Sequence, residues 1–397
     1  MTNPSAANPQ RGEECLRCGL CDAFCPALGA REGFPGPRAI GPDAARFRAR
    51  AKSDPEPALS GCLGCGTCER VCPQGLGPWR LGRAAKEKIV AAKGLSVPEA
   101  LLARSPGLGP LGSFLAPLSN LCLKSSLAKK ALPVLGLDPS FPFPSYASKP
   151  LSKLLPRNQG EKPEALLFGG CFLEYNDPGP ALAIIKVLGA AGVKTKAAEP
   201  VCCGLPSLIK GDKARAERVA KKSLSRLAPV LEGFEGPLLF ASPSCLWMAR
   251  EFWPLLVKTP QAAKVASQAA EAGAFLLSLA QSGKLPKFSR SNRLLAYQAP
   301  CHLALSQAPW PAFDLIGLIE GARLFDLGQG CCGQGGTYGM EAANASVAKA
   351  ASEKLSRALA ERPYEAVVSE CEACRMRLGA VSGLKTLHPF EVLAEAL

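Results

Sequence analysis

Two stretches of the chain, Cys15–Pro26 and Cys62–Pro73, share one pattern, CxxCxxCxxxCP. Four thiolates at this spacing wrap a [4Fe-4S] cube. Three of them sit on a tight loop around one cluster corner, and the proline keeps the fourth from continuing as helix. Where two such runs share a module, the fourth cysteine of each ligates the other cluster. The spacing therefore assigns Cys15, Cys18, Cys21 and Cys72 to one cube, and Cys62, Cys65, Cys68 and Cys25 to a second. Structural zinc and disulfides are the alternatives, but zinc sites use pairs of CxxC rather than runs of three.

The remaining cysteines also repeat. Cys171 matches Cys301 at an offset of 130, while Cys202, Cys203 and Cys245 match Cys331, Cys332 and Cys374 at 129. Gly204 matches Gly333 at the same 129. Residues 164–290 and 291–397 thus read as two copies of one unit. The second copy offers five soft ligands, Cys301, Cys331, Cys332, Cys371 and Cys374, one more than a cube needs. That surplus fits an opened cluster with a shared thiolate, against a structural metal or packed thiols. The first copy has Ser242 where Cys371 stands in the second. Its four thiolates, Cys171, Cys202, Cys203 and Cys245, suffice for tetrahedral zinc or for a cluster with one odd ligand. An empty site is the third option.

The elements that must position these groups follow from short apolar runs and longer helical patterns. Ala165–Phe168, Pro237–Ala241, Leu294–Tyr297 and Ala366–Val368 each precede a cysteine and read as buried parallel strands. Ala181–Ala191, Asp212–Leu227, Ala342–Leu359 and Phe390–Leu397 read as helices. Strand–helix alternation predicts α/β domains with parallel sheets, whose ligands gather at the carboxyl ends of the strands. Helix N-termini there favour thiolates and an anionic cluster. The expected architecture is multidomain α+α/β. A helical module with two [4Fe-4S] cubes spans 1–92, an apolar Pro/Gly-rich linker 93–160, and two repeated α/β domains 161–290 and 291–397.

The second copy, C-x29-CCG-x37-CxxC, resembles the CCG family, which includes the catalytic subunit of heterodisulfide reductase and iron–sulfur subunits of several flavin dehydrogenases. The resemblance implies that the five cysteines hold a noncubane [4Fe-4S] cluster, and that the first copy is a zinc or non-catalytic site in some members. The likeness extends over Phe34–Arg48, Gly170–Pro178, Cys202–Pro206, Ala299–His302, Cys331–Gly339 and Cys371–Cys374. Together these segments resemble the C-subunit family of anaerobic glycerol-3-phosphate dehydrogenases, and less closely the glycolate oxidase iron–sulfur subunits. The 36 residues between Cys25 and Cys62 resemble the helical ferredoxin module of fumarate reductase. The resemblance implies a subunit that takes electrons from an FAD-containing dehydrogenase subunit and passes them to menaquinone at the membrane. The acceptor is then expected at the cluster of the second copy.

The chain itself carries no GxGxxG that follows a strand and opens a helix; Gly328–Gly333 matches the spacing literally but is built around Cys331 and Cys332. The glycines of Gly328–Gly339 surround Cys331 and Cys332 and read as a cluster loop rather than a phosphate cradle. Eighteen cysteines in metal-ligand spacings among 397 residues imply a reducing compartment rather than a secreted disulfide scaffold. The opening MTNPSAANPQRGEE lacks the apolar core of a signal peptide, so the cytoplasmic face of a membrane is expected. The formal charge of +14 falls by roughly 4 once two cubes are bound. Its basic residues are scattered, without the aromatic interleaving of a nucleic-acid surface.

Ser105–Leu123 holds nineteen residues without a charge, ahead of Lys124, Lys129 and Lys130. Its prolines and glycines argue against a spanning helix and for a broken interfacial or subunit-contacting segment with a basic flank. An apolar linker packed over the core is the alternative. Peripheral membrane contact is the expectation. His302, next to Cys301, is a candidate hydrogen-bond donor to cluster sulfur or a proton donor, or else a helix-end cap. His388 reads as the weaker case. Tyr175 and Tyr338 either line an acceptor pocket or pack. Cys122 is expected to be a small buried hydrophobe. Two rival functions remain: a thiol–disulfide reductase of heterodisulfide type, and a scaffold whose metal sites staple the fold.

Overall fold

The computed structural model describes residues 9–46, 56–155, 162–306, 310–328 and 330–397. The opening octapeptide, Phe47 and Arg48 of the Phe34–Arg48 segment, the 156–160 end of the linker and Gln329 of the glycine-rich stretch lie outside them.

Two four-stranded parallel sheets are present among these residues. β1 (Ala165–Phe168), β2 (Thr195–Ala197), β3 (Leu238–Phe240) and β4 (Ala269–Glu271) lie in the order β2-β1-β3-β4. β5 (Leu294–Tyr297), β6 (Arg323–Asp326), β7 (Ala366–Val368) and β8 (Lys385–Leu387) repeat it as β6-β5-β7-β8. The central strands are the expected apolar runs, since a strand covered on both faces must be apolar throughout. The edge strands β2, β6 and β8 are half-exposed and carry Lys and Arg, which hid them from a search for apolar runs.

The repeats pack through equivalent helices. Gly179–Ala190 of the first lies on Pro389–Glu395 of the second, and Ala272–Gln281 of the first lies on Pro311–Gly317 of the second. Each pair joins the helix that follows the first cysteine with the helix that follows the last strand, so the contact is a pseudo-twofold one. Leu167 and Leu239 of one sheet and Leu295 and Val368 of the other share a single apolar core there.

The N-terminal module docks against the first repeat. Its Pro78–Lys93 helix, opened by a proline at the first position, carries Trp79 and Arg80 inward. The Trp79 ring centroid lies 5.0 Å from that of Trp247. Arg80 Nε donates to Glu69 Oε2 at 2.7 Å and Nη2 to Glu251 Oε2 at 3.2 Å, a buried triad joining cluster loop, module helix and first repeat. Such triads fix register, and loss of Arg80 leaves Glu251 without this cation while Glu69 keeps the indole N–H of Trp79 at 2.6 Å.

The charge-free stretch is broken, as its prolines demand: a 3₁₀ turn at Ser105–Leu108, then helices Gly109–Phe114, Ala116–Lys124 and Ser126–Ala131. No helix among the described residues is long and apolar enough to cross a membrane. The segment turns Leu111, Leu118, Leu121, Leu127 and Val134 outward, with Phe114 80 % exposed. It is seated by glycines. A Cβ on Gly109 would strike the Tyr175 ring, and one on Gly112 the Tyr146 ring. Cys122 departs from expectation: it is exposed, because its helix presents an apolar face that nothing among the described residues covers.

Candidate redox centres

The two CxxCxxC loops are built alike. Gly19 (φ 78°) follows Cys18 and Gly66 (φ 71°) follows Cys65, each in the left-handed conformation that glycine adopts without strain. Each glycine opens a one-turn helix, Leu20–Ala23 or Thr67–Arg70, that holds the third cysteine. The structure brings Cys15, Cys18, Cys21 and Cys72 around one small cavity. Cys25, the fourth cysteine of the first run, lies with the second set instead. Burial pushes its thiol up to about 12, with negative charge on Cys65 and Cys62 adding to the shift. Cys68 is raised by burial and by Cys62, Cys65 and Cys25.

The CCG cysteines converge beyond the carboxyl ends of the strands. In the first repeat Cys202 hydrogen-bonds to Cys171 and Cys203, and Cys203 to Cys245. In the second, Cys374 Sγ lies 3.2 Å from Cys332 Sγ and Cys374 also hydrogen-bonds to Cys371. Cys371 stands at the N-cap of the Glu372–Ser382 helix and Cys374 in its first turn, where hydrogen bonds to Cys332 and Cys371 and burial raise the Cys374 thiol. Gly204 (φ 88°) and Gly333 (φ 79°) turn the chain after each cysteine pair, and a Cβ on Gly333 would strike the Ala348 carbonyl. The two sites adjoin: Ser242 Oγ, at the position of the missing cysteine, donates to Glu372 Oε1 at 3.2 Å.

The second repeat also meets the second CxxCxxC loop. Burial raises the Cys301 thiol, and charge on Cys65 is the next cause. Cys331 is raised by burial, then by Cys332, Cys65 and Cys25. These four cysteines, Cys25, Cys65, Cys301 and Cys331, open on one cavity of about 420 Å³. The loop is wedged between the repeats, with Gly64 against Ile209 of the first and Gly66 against Leu305 of the second.

His302 fastens this junction. Its Nε2 donates to Gly64 O at 3.2 Å, and its Nδ1 accepts from Ser244 Oγ at 2.9 Å. The ring lies 4.4 Å from Trp247, and burial pushes its pKa down to about 4. Both ring nitrogens are therefore taken by protein partners and the imidazole is neutral. This corrects the expectation of a donor to cluster sulfur or of a proton donor, whose signal was only its place beside Cys301. His388 caps the last helix, accepting from Phe390 N at 3.2 Å. Tyr175 lines a cavity between the first repeat and the apolar segment, and Tyr338 is buried, with its hydroxyl accepting from Arg31 at 3.2 Å.

The donor sets suit anionic iron–sulfur groups. Gly64 N donates to Cys62 Sγ at 3.4 Å and Gly333 N to Cys331 Sγ at 3.3 Å. Arg377 Nε, whose charge favours the Cys332 thiolate, is buried without a hydrogen-bond partner among the described residues. N–H donors of this kind stabilise cluster sulfur and raise cluster potentials.

Comparison with known proteins agrees with these features. The 4Fe-4S dicluster domain family matches residues 11–76, and the cysteine-rich domain (CCG) family matches 165–250 and 295–379. The C-subunit of the anaerobic glycerol-3-phosphate dehydrogenase of Escherichia coli K12 is 26% identical, covering 97% of this chain and 98% of the relative. The D-subunit of the dihydromethanophenazine:CoB–CoM heterodisulfide reductase of Methanosarcina barkeri is 25% identical over 100% of this chain and 96% of its own length. A probable glycolate oxidase iron–sulfur subunit of Bacillus subtilis is 23% identical, at 96% and 93% coverage. The chain thus carries a 4Fe-4S dicluster domain followed by two cysteine-rich CCG domains.

Proposed function

We propose that the chain is the electron-transfer subunit of a membrane-associated flavin dehydrogenase complex of the glycerol-3-phosphate type, passing electrons from an FAD subunit to menaquinone. The observation that carries this reading is the meeting of Cys65 and Cys25 with Cys301 and Cys331, which sets the second cube's ligands against those of the second CCG domain. Bound at these cysteines, [4Fe-4S] groups supply one-electron steps. Cys15, Cys18, Cys21 and Cys72 hold the first cube, and Cys62, Cys65, Cys68 and Cys25 the second. Cys301, Cys331, Cys332, Cys371 and Cys374 hold the noncubane cluster, and Cys171, Cys202, Cys203 and Cys245 hold zinc or a second such cluster.

The remaining residues position and bury. Glu69, Arg80 and Glu251 lock the module to the first CCG domain, and His302 locks the second-cube loop to both domains. Cys18 is exposed beside Leu16, Leu20 and Phe24, an open face suited to an electron donor. The apolar 97–135 segment, flanked by Lys124, Lys129 and Lys130, suits peripheral contact with an anionic bilayer.

The test is anaerobic. The iron-replete protein is reduced, then mixed separately with a menaquinone analogue and with a small disulfide, while cluster absorbance reports reoxidation. Rapid reoxidation by quinone alone supports the proposal. Rapid reoxidation by disulfide alone moves the chain to the disulfide reductases, the reading that its likeness to part of a heterodisulfide reductase supports.

A further inference from the structure

A second cavity near cysteines is lined by the first CCG domain and not by the second. About 300 Å³ in volume, it opens between the first CCG domain and the apolar segment. Ala103, Pro106, Gly107 and Pro110 form its outer wall, and Cys171 and Cys202 its inner one. We propose that this cavity receives the ring of a membrane-soluble quinone. The proposal rests on the quinone-reducing reading above and moves the acceptor from the second CCG domain, where the sequence placed it, to the first.

Three observations carry it. The first is access. The outer wall belongs to the same segment that turns Leu108, Leu111 and Phe114 to the exterior. A ligand reaching the cavity along that face arrives from an apolar phase. The 420 Å³ cavity at the second CCG domain has no residue of 97–135 in its lining and lies between the cysteines of two centres.

The second is lining chemistry. Proline, glycine, alanine and valine supply flat apolar walls, and the charged groups are all cations: Arg215, Lys222 and Arg226, with no carboxylate. Arg215 Nε is buried and has no hydrogen-bond partner among the described residues. A quinone presents a flat apolar ring and two carbonyl acceptors that gain negative charge on reduction. The cationic groups of Arg215, Lys222 and Arg226 in the lining match that charge where it develops. The volume lies at the lower end of the range for small-molecule sites, roughly 300–1,000 Å³.

The third is proximity to the redox groups. Arg215 and Cys202 line the same cavity, so its cationic wall stands beside the first CCG cysteines. The Ser242–Glu372 hydrogen bond joins the two CCG sites, giving a continuous protein path from the second domain to the first. Reduction of the ring takes two electrons, supplied by the chain's iron–sulfur centres, and two protons from water at the cavity mouth. Both carbonyl oxygens become hydroxyls.

The test uses the full iron-replete chain. An azido-naphthoquinone is bound anaerobically, irradiated, and its adduct located by peptide mapping, with a menaquinone analogue as competitor. The expected adduct lies within 103–110 or 201–226 and is lost on competition. Val219→Trp, which fills the cavity, and Arg215→Gln, which removes a cation, are each expected to cut labelling at least tenfold, with iron content and the dithionite-reduced spectrum showing that the variants fold. A competed adduct confined to the peptides of Trp310–Lys354 overturns the site while leaving quinone reduction standing. Protection by inorganic phosphate in place of the quinone makes the cavity an anion site and overturns the proposal. Absence of labelling together with absence of reoxidation by quinone overturns both the site and the functional reading.

Discussion

The Nε2 of His302 donates to the carbonyl oxygen of Gly64 at 3.2 Å, joining residues 238 positions apart. Gly64 lies between Cys62 and Cys65, proposed ligands of the second cube, and His302 follows Cys301, a proposed ligand in the second CCG domain. His302→Ala is expected to slow transfer from the cubes to that domain by roughly tenfold, the equivalent of about 1.4 kcal/mol. His302→Gln, which retains a donor, recovers part of the loss. Because burial holds the imidazole neutral, the wild-type rate shows no inflection near pH 6.5. Stopped-flow reduction across pH 5.5–8 checks both points.

Cys332 pairs with Cys374 at 3.2 Å at the centre of the second CCG site. Cys332→Ser is expected to leave the two cubes reducible while abolishing quinone-linked reoxidation. Iron content falls by about four atoms per chain, the content of one cluster. A variant that reoxidises at the normal rate would remove the noncubane cluster from the pathway.

Glu271 is fully enclosed, and burial pushes its carboxyl up to about 7. Its folded value lies above the unfolded one of 4.5, so the stability it contributes is full below about pH 4.5 and is lost as pH rises to about 7. Glu271→Gln keeps an acceptor for Ala274 N but cannot ionise. Thermal unfolding should show the variant gaining on wild type between pH 4.5 and 7. The gain then levels off, at up to about 3 kcal/mol. An equal difference at pH 5 and pH 8 would place the carboxyl outside this range.

The outward apolar face predicts lipid binding of a particular kind. Phe114→Glu and Leu121→Glu are each expected to weaken co-sedimentation with anionic vesicles at least fivefold, about 1 kcal/mol. Salt weakens the wild-type interaction through Lys124, Lys129 and Lys130. Binding that is unchanged in both variants would assign the face to a protein partner.

Much of this architecture is legible in the residues. Ligand cysteines must keep their spacing, and strands buried on both faces must be apolar, so both leave local signatures. The 129-residue offset becomes the identical strand orders β2-β1-β3-β4 and β6-β5-β7-β8. What escaped depends on distant contact. β6 and β8 carry charged residues at a sheet edge, where solvent removes the need for an apolar run. His302 has no local pattern that names Gly64 or Ser244 as its partners. Cys122 reads as a core residue because a helix face destined for an outside partner has the composition of one that is buried.

The wedging of the second-cube loop between both CCG domains also sets a schedule for biogenesis. Gly64 leaves the ribosome long before His302, by roughly 10–50 s at 5–20 residues per second. Through that interval Cys62, Cys65 and Cys68 have no Leu305 or His302 above them. Cluster delivery to these cysteines can therefore precede the arrival of the C-terminal domain that seats their loop.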